Sequence, residues 1–100
     1  MKTFNITSAT TTTLIDQYSE SGSVSFISIA NCNASNAVTI ALFYDDNTTQ
    51  TSYIENLSIP VGCTLVIDDN LGFENDTYSL KLTTAGTSPD VNVIIRLALM

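Results

Sequence analysis

Histidine and tryptophan are both missing from this 100-residue chain. Without histidine no Ser-His or Cys-His pair can activate a nucleophile, and no imidazole can hold a metal. Without tryptophan there is no such platform for a sugar ring, and a glycosidase would also need two carboxylates flanking a cleft. Bases are nearly missing too: Lys2, Lys81 and Arg96 stand against ten acids, for a net charge of −7. Three scattered cations cannot form the basic surface that phosphate contacts require, so nucleic acid is not an expected partner. An anionic membrane face is not expected either. Two cysteines are too few for a four-thiolate zinc site. No Gly-rich phosphate loop is present. No apolar run approaches the length of a membrane span. Behind the single N-terminal cation, residues 8–13 are polar where a signal peptide needs an apolar stretch. The expectation is synthesis in a host cytoplasm, with the Asn-x-Ser/Thr tripeptides at Asn5, Asn33, Asn47, Asn56 and Asn75 unmodified.

Charged residues make up 13% of the chain, against about 25% in ordinary domains, and Ser, Thr and Asn fill the gap. A surface solvated by hydroxyls and amides suits protein contact, because few charges need desolvating. It equally suits a monomer with a threonine-rich β surface. The length predicts one domain over residues 1–100.

The pattern is that of strands. Residues 51–67 read as strand, turn, strand, with Pro60 and Gly62 between two apolar runs. Residues 10–18 open with four β-branched threonines, and residues 1–13 could instead be a loose N-terminal arm. Residues 24–30 are a strand whose alternation breaks at Phe26-Ile27, through burial of both faces or a bulge. In 37–44, Val38, Ile40, Leu42 and Tyr44 share one face, and the other face is also mostly apolar. Residues 68–76 form a polar loop pinned by Leu71 and Phe73. In 78–84 Tyr78, Leu80 and Leu82 face in, and in the last strand Val91, Val93, Ile95, Leu97 and Leu99 do. About seven short strands with turn signals and no helical period predict an all-β fold, a single antiparallel β-sandwich, immunoglobulin-like or jelly-roll-like.

Candidate chemistry is sparse. Cys32 and Cys63 have no basic neighbour in sequence to lower their pKa, and the expected state is buried, reduced thiols, with a loop-to-strand disulfide as the alternative. Asp45-Asp46 and Asp68-Asp69 each follow a strand, where paired carboxylates could hold Ca²⁺. The EF-hand pattern fails from Asp68, and Asp and Asn in such turns serve local hydrogen bonds. No catalytic, cofactor or metal residue is therefore assigned. The four tyrosines and four phenylalanines are expected mostly in the core, with Tyr44 and Tyr53 as a cross-strand pair or a sticky edge.

The order of features over residues 23–97 carries a resemblance. A strand ending Ile29-Ala30-Asn31 leads through a polar turn to Ala37-Val38-Thr39-Ile40-Ala41-Leu42. Ile59-Pro60-Val61-Gly62-Cys63-Thr64-Leu65 follows, then Tyr78-Ser79-Leu80-Lys81-Leu82 and Val91-Asn92-Val93-Ile94-Ile95. This resembles small β-sandwich virion proteins of tailed bacteriophages, especially those of cyanobacterial phages. Many of those relatives carry a Gly-Asp turn where Glu74-Asn75-Asp76 stands here. The resemblance implies no catalysis and a structural role in the virion, as a capsid decoration or cement protein. The alternative is a neck or tail-fibre adhesion module that binds host glycan or protein through loops 45–49 and 68–76. Expected partners are the major capsid protein or other virion proteins, with self-association as trimers or dimers, and a sheet edge or the N-terminal arm packed on a neighbour.

Overall fold

The computed structural model describes residues 2–18, 23–68, 71–72 and 77–97. They form nine strands: β1 (Lys2–Ile6), β2 (Thr11–Ile15), β3 (Ser23–Asn31), β4 (Val38–Asp45), β5 (Gln50–Ile59), β6 (Thr64–Ile67), β7 (Leu71–Gly72), β8 (Ser79–Ala85) and β9 (Val91–Leu97). One sheet runs β1-β9-β3-β6, with β7 also on β3, and the other runs β2-β8-β4-β5. Every pairing is antiparallel. The expected β-sandwich is therefore the fold.

The pairings nest. β1 pairs β9, β2 pairs β8, β3 pairs β6 and β7, and β4 pairs β5. The chain is thus one long antiparallel ribbon, doubled back at residues 46–49 and rolled so that successive pairs fall in alternate sheets. That double Greek key is the jelly roll, and its strand order differs from the immunoglobulin arrangement.

Two expectations are corrected here. The strand count exceeds the expected seven because β1 and the two-residue β7 were not read from the pattern. Residues 1–13 are not an arm where described: β1 and most of β2 are edge strands, with Ile6 and Leu14 buried. Residues 51–67 are strand, turn and strand as expected, though the two strands do not pair. β5 and β6 lie in different sheets, and the Pro60–Cys63 turn carries the chain from one to the other. Cys63 N donates to Pro60 O at 3.1 Å, and Gly62 takes φ +76° as the third residue of that turn.

The core between the sheets is aliphatic: Leu14, Ile27, Ile40, Leu42, Leu82 and Ile95 are among its fully buried members. No described aromatic belongs to it. Phe4 and Tyr44 pack at its margin. Phe43 is buried on the outward face of its sheet, in register with Ser52 on β5 and Lys81 on β8. Tyr18 and Tyr53 are exposed. The expectation that the aromatics lie mostly in the core fails among the described residues, because branched aliphatic side chains already fill the roughly 10 Å between packed sheets. Phe73 and Leu99 lie outside the described residues.

Leu82 sits on β8 between β2 and β4 and has no exposed surface. Leu82→Ala is expected to cost about 2–5 kcal/mol of unfolding free energy, read as a lower denaturant midpoint with an unchanged slope.

Candidate functional site: the ends and edges of the sandwich

Strand direction sorts the described loops into two ends. Residues 16–18, 46–49, 68 and 77–78 lie at the hairpin end; 7–10, 32–37, 60–63 and 86–90 lie at the other. Asp16, Asp45, Asp46 and Asp68 are at the hairpin end, and so are all four tyrosines, Tyr18, Tyr44, Tyr53 and Tyr78. The opposite end holds both cysteines and one described acid, Asp90.

At the hairpin end the carboxylates serve the turn. Asp45 accepts the Asn47 amide at 2.9 Å through Oδ1 and the Lys81 ammonium at 2.7 Å through Oδ2. Asp46 Oδ1 accepts the Thr48 and Thr49 amides at 2.9 and 2.7 Å. Asn47 takes φ +72°, which asparagine tolerates better than most side chains, and its amide donates to Gln17 Oε1 at 2.8 Å. These bonds favour the charged forms. The Asp45 carboxyl is lowered by Lys81 first and then by the Asn47 amide, and Asp46 by the Thr49 and Thr48 amides. Asp45 and Asp46 thus act as turn residues, and the structure does not bring them together with Asp68 as a ligand set: among the described residues no three acids or thiols could share a cation. Asp69 lies outside the described residues, as do 73–76 of the second expected loop. Tyr44 stacks edge-on against Tyr78 with ring centroids 6.2 Å apart, while Thr51 stands opposite it on β5. The expected cross-strand pairing with Tyr53 is corrected accordingly. Burial, followed by the nearby Tyr53, raises the Tyr44 pKa.

The opposite end is knitted by amides. Asn31, 4% exposed, donates to Asn36 O and Ile59 O, both at 3.0 Å, and its Oδ1 accepts the Asn33 amide at 3.0 Å. Asn33 donates to Ser88 O at 2.7 Å, and Asn36 to Thr87 O at 3.3 Å. Asparagines that read as loose turn formers thus fasten the 32–37 loop to β5 and to the 86–90 turn. Among the described residues, no buried side-chain nitrogen or oxygen lacks a partner. Cys32 and Cys63 are unpaired and both exposed. The expectation of buried thiols is overturned, because the ladder ends at Asn31 and Thr64 and leaves both cysteines in turns.

The four outer strands differ in how their free edges are protected. β2 is bulged between Thr13 and Ile15. β5 is bulged twice, with Asn56 at φ +53° and Glu55 exposed beside it. On β1, Lys2 Nζ donates across the open side to Leu14 O at 3.0 Å and lies 5.8 Å from the Phe4 ring centre. Among the described residues β6 has no such device: its ladder to β3 is regular and Thr64-Leu65-Val66-Ile67 is uncharged. Val66, 52% exposed, faces outward in one cross-strand row with Ser28, Ile94 and Thr3.

Protein-family models, curated proteins and solved structures yield no match to this chain. No helix among the described residues is long and apolar enough to cross a membrane.

A carboxyl with a lowered native pKa contributes stability above its unfolded value and loses it as pH falls through the native one. Stability is expected to hold through neutral pH and drop below about pH 4, and Asp45→Asn should flatten that drop in acid melts. Native-state alkylation should label Cys32 and Cys63 without denaturant; protection of both would contradict their exposure.

Proposed function

We propose that this chain is a non-enzymatic structural protein of a tailed-phage virion: a decoration or cement subunit on the outer head surface, bound to the major capsid protein or another virion protein and associated with copies of itself. The observation that carries the reading is the jelly roll with charge-poor outer faces. Viral capsid proteins are among the users of this fold, although lectins and cupins share it. Thr11 and Thr83 meet hydroxyl to hydroxyl at 2.9 Å on the outward face of one sheet, beside Ala41 and Thr39. Such a face docks on protein without desolvating charge. A rigid end tied by asparagines suits a subunit that must hold its shape under load.

A second reading, an adhesion module of the neck or tail fibre, is favoured by the hairpin end. Tyr18 is 76% exposed and Tyr53 44% exposed, at the same end of the sandwich as the bonded amides of Asn47 and Gln17. Tyrosine and amide side chains together make an adaptable recognition surface for glycan or protein.

Cryo-electron microscopy of purified particles that carry the chain separates the two. Density on the head surface is the expected result. Density confined to neck or tail selects adhesion, and absence from the particle removes both.

A further inference from the structure

We infer that β6 is a self-pairing edge, which joins two copies of this chain about a two-fold axis through Leu65 into one continuous antiparallel sheet. This deepens the self-association in the reading above but rests on strand geometry alone. The hydrogen-bond parity of the edge supplies the first argument. Asn31 N donates to Cys63 O at 3.0 Å, so position 63 faces β3. In an antiparallel ladder successive residues alternate in that direction. Leu65 and Ile67 then also bond to β3, opposite Ile29 and Ile27, while Thr64 and Val66 point their N–H and C=O groups away from the sheet. Among the described residues no backbone bond takes up these outward groups. An edge of this kind is a template for another strand unless it is blunted. The β1, β2 and β5 edges are each blunted by a lysine or by bulges, and β6 alone is straight and uncharged.

The occupant follows from register and charge. Centring the axis on Leu65 places Thr64 opposite Val66 of the second copy, so both outward residues of each chain are used. Shifting the centre to Thr64 or Val66 pushes part of the pairing beyond the strand. In the Leu65 register Asp68 falls opposite Gly62 of the second copy and meets no like charge. That matters for a chain of net charge −7, which repels itself over most of its surface. On the outward face Val66 meets Thr64 of the second copy, which extends the row through Ser28 and Ile94. The exposed side chain of Leu57, which lines a shallow pocket with Thr64 and Leu65, loses water as the junction closes. A two-fold pairing uses each β6 once and so ends at the dimer rather than growing.

The test uses the purified full chain in sedimentation across a protein concentration series. Concentration-dependent dimers are expected. Val66→Pro removes an N–H that points away from β3, so the sandwich should keep its far-UV circular dichroism while dimer affinity falls at least about tenfold. Val66→Lys should act alike, and it stands in if the proline variant unfolds. Leu65→Cys in a Cys32→Ser/Cys63→Ser background should give a covalent dimer under oxidation by oxidised glutathione: the two Leu65 positions form the close, non-hydrogen-bonded pair, in which two thiols become one disulfide as glutathione is reduced. A wild-type chain that stays monomeric at millimolar concentration overturns the inference. So does a dimer that is indifferent to both Val66 changes, or one that Leu65→Cys fails to cross-link. None of these results depends on where the chain sits in a particle. A head location with a monomeric protein would defeat this inference alone, and a dimer absent from particles would defeat the virion reading alone.

Discussion

Phase is the constraint on which this structure depends. A strand turns successive side chains to opposite faces, so an apolar set stays in the core only while its spacing remains even. Several apolar sets here are spaced unevenly. Val24 and Ile27 are three apart and both buried, Leu14 and Ile15 are neighbours and both buried, and inward-packed Ile54 and buried Ile59 are five apart. At each of these places the ladder is bulged: between Val24 and Phe26, between Thr13 and Ile15, and between Ile54 and Leu57 on β5. An extra residue restores the phase and adds twist. Where the spacing is even, as in β8 and β9, the pairing of β8 to β4 and of β9 to β1 is regular. The bulges that serve the core also spoil β2 and β5 as templates for outside strands, so one device answers two needs.

Much of this was legible in the chain. The break at Phe26-Ile27 signalled either burial of both faces or a bulge, and a bulge lies beside it between Val24 and Phe26; the apolar outer face of residues 37–44 fits β4's place between β8 and β5; and the alternation in β8 and β9 placed their inner faces correctly. Two things were not legible, for physical reasons. β1 carries a lysine at an inward position, which sequence pattern reads as solvent-facing; the β2 carbonyl across the gap, which accepts from Lys2, is a partner the pattern does not show. The turn at Pro60 and Gly62 has the same local chemistry in a hairpin as in a corner between sheets. Its role is decided by pairings formed far away in sequence, Ile59 with Val38 and Leu65 with Ile29. Local conformation and distant partner are separate facts, and sequence pattern carries the first.

The candidate site was legible in a weaker sense. Asp45 and Asp46 were correctly read as turn chemistry, because an aspartate followed by asparagine and threonine supplies acceptors to amides two and three residues on. The third element, Lys81, lies 36 residues away and could be reached only through the β4–β8 register. The role of the Asn31 side chain was not legible, for the opposite reason. Asparagine next to asparagine looks like a solvated loop, whereas this one is buried where three backbone groups need a partner. A buried amide with every bond made rigidifies its surroundings, because breaking any one bond leaves a desolvated group.

The distribution of charge then gives the molecule a direction. The described bases all sit in the half nearest the hairpin turn: Lys81 on Asp45, Lys2 across the sheet opening, and Arg96 4.7 Å from the Phe26 ring centre. Each is engaged by its own chain, so none is held in reserve for a partner. In the proposed role, contact with other molecules would fall to uncharged surface: the threonine face, the amide-tied end and the β6 edge. Apolar contact and backbone hydrogen bonding depend little on ionic strength, unlike steering by exposed charge. In the structural role proposed above, a surface of this kind would give up fast, long-range capture of a partner and would keep attachment that does not loosen when salt changes.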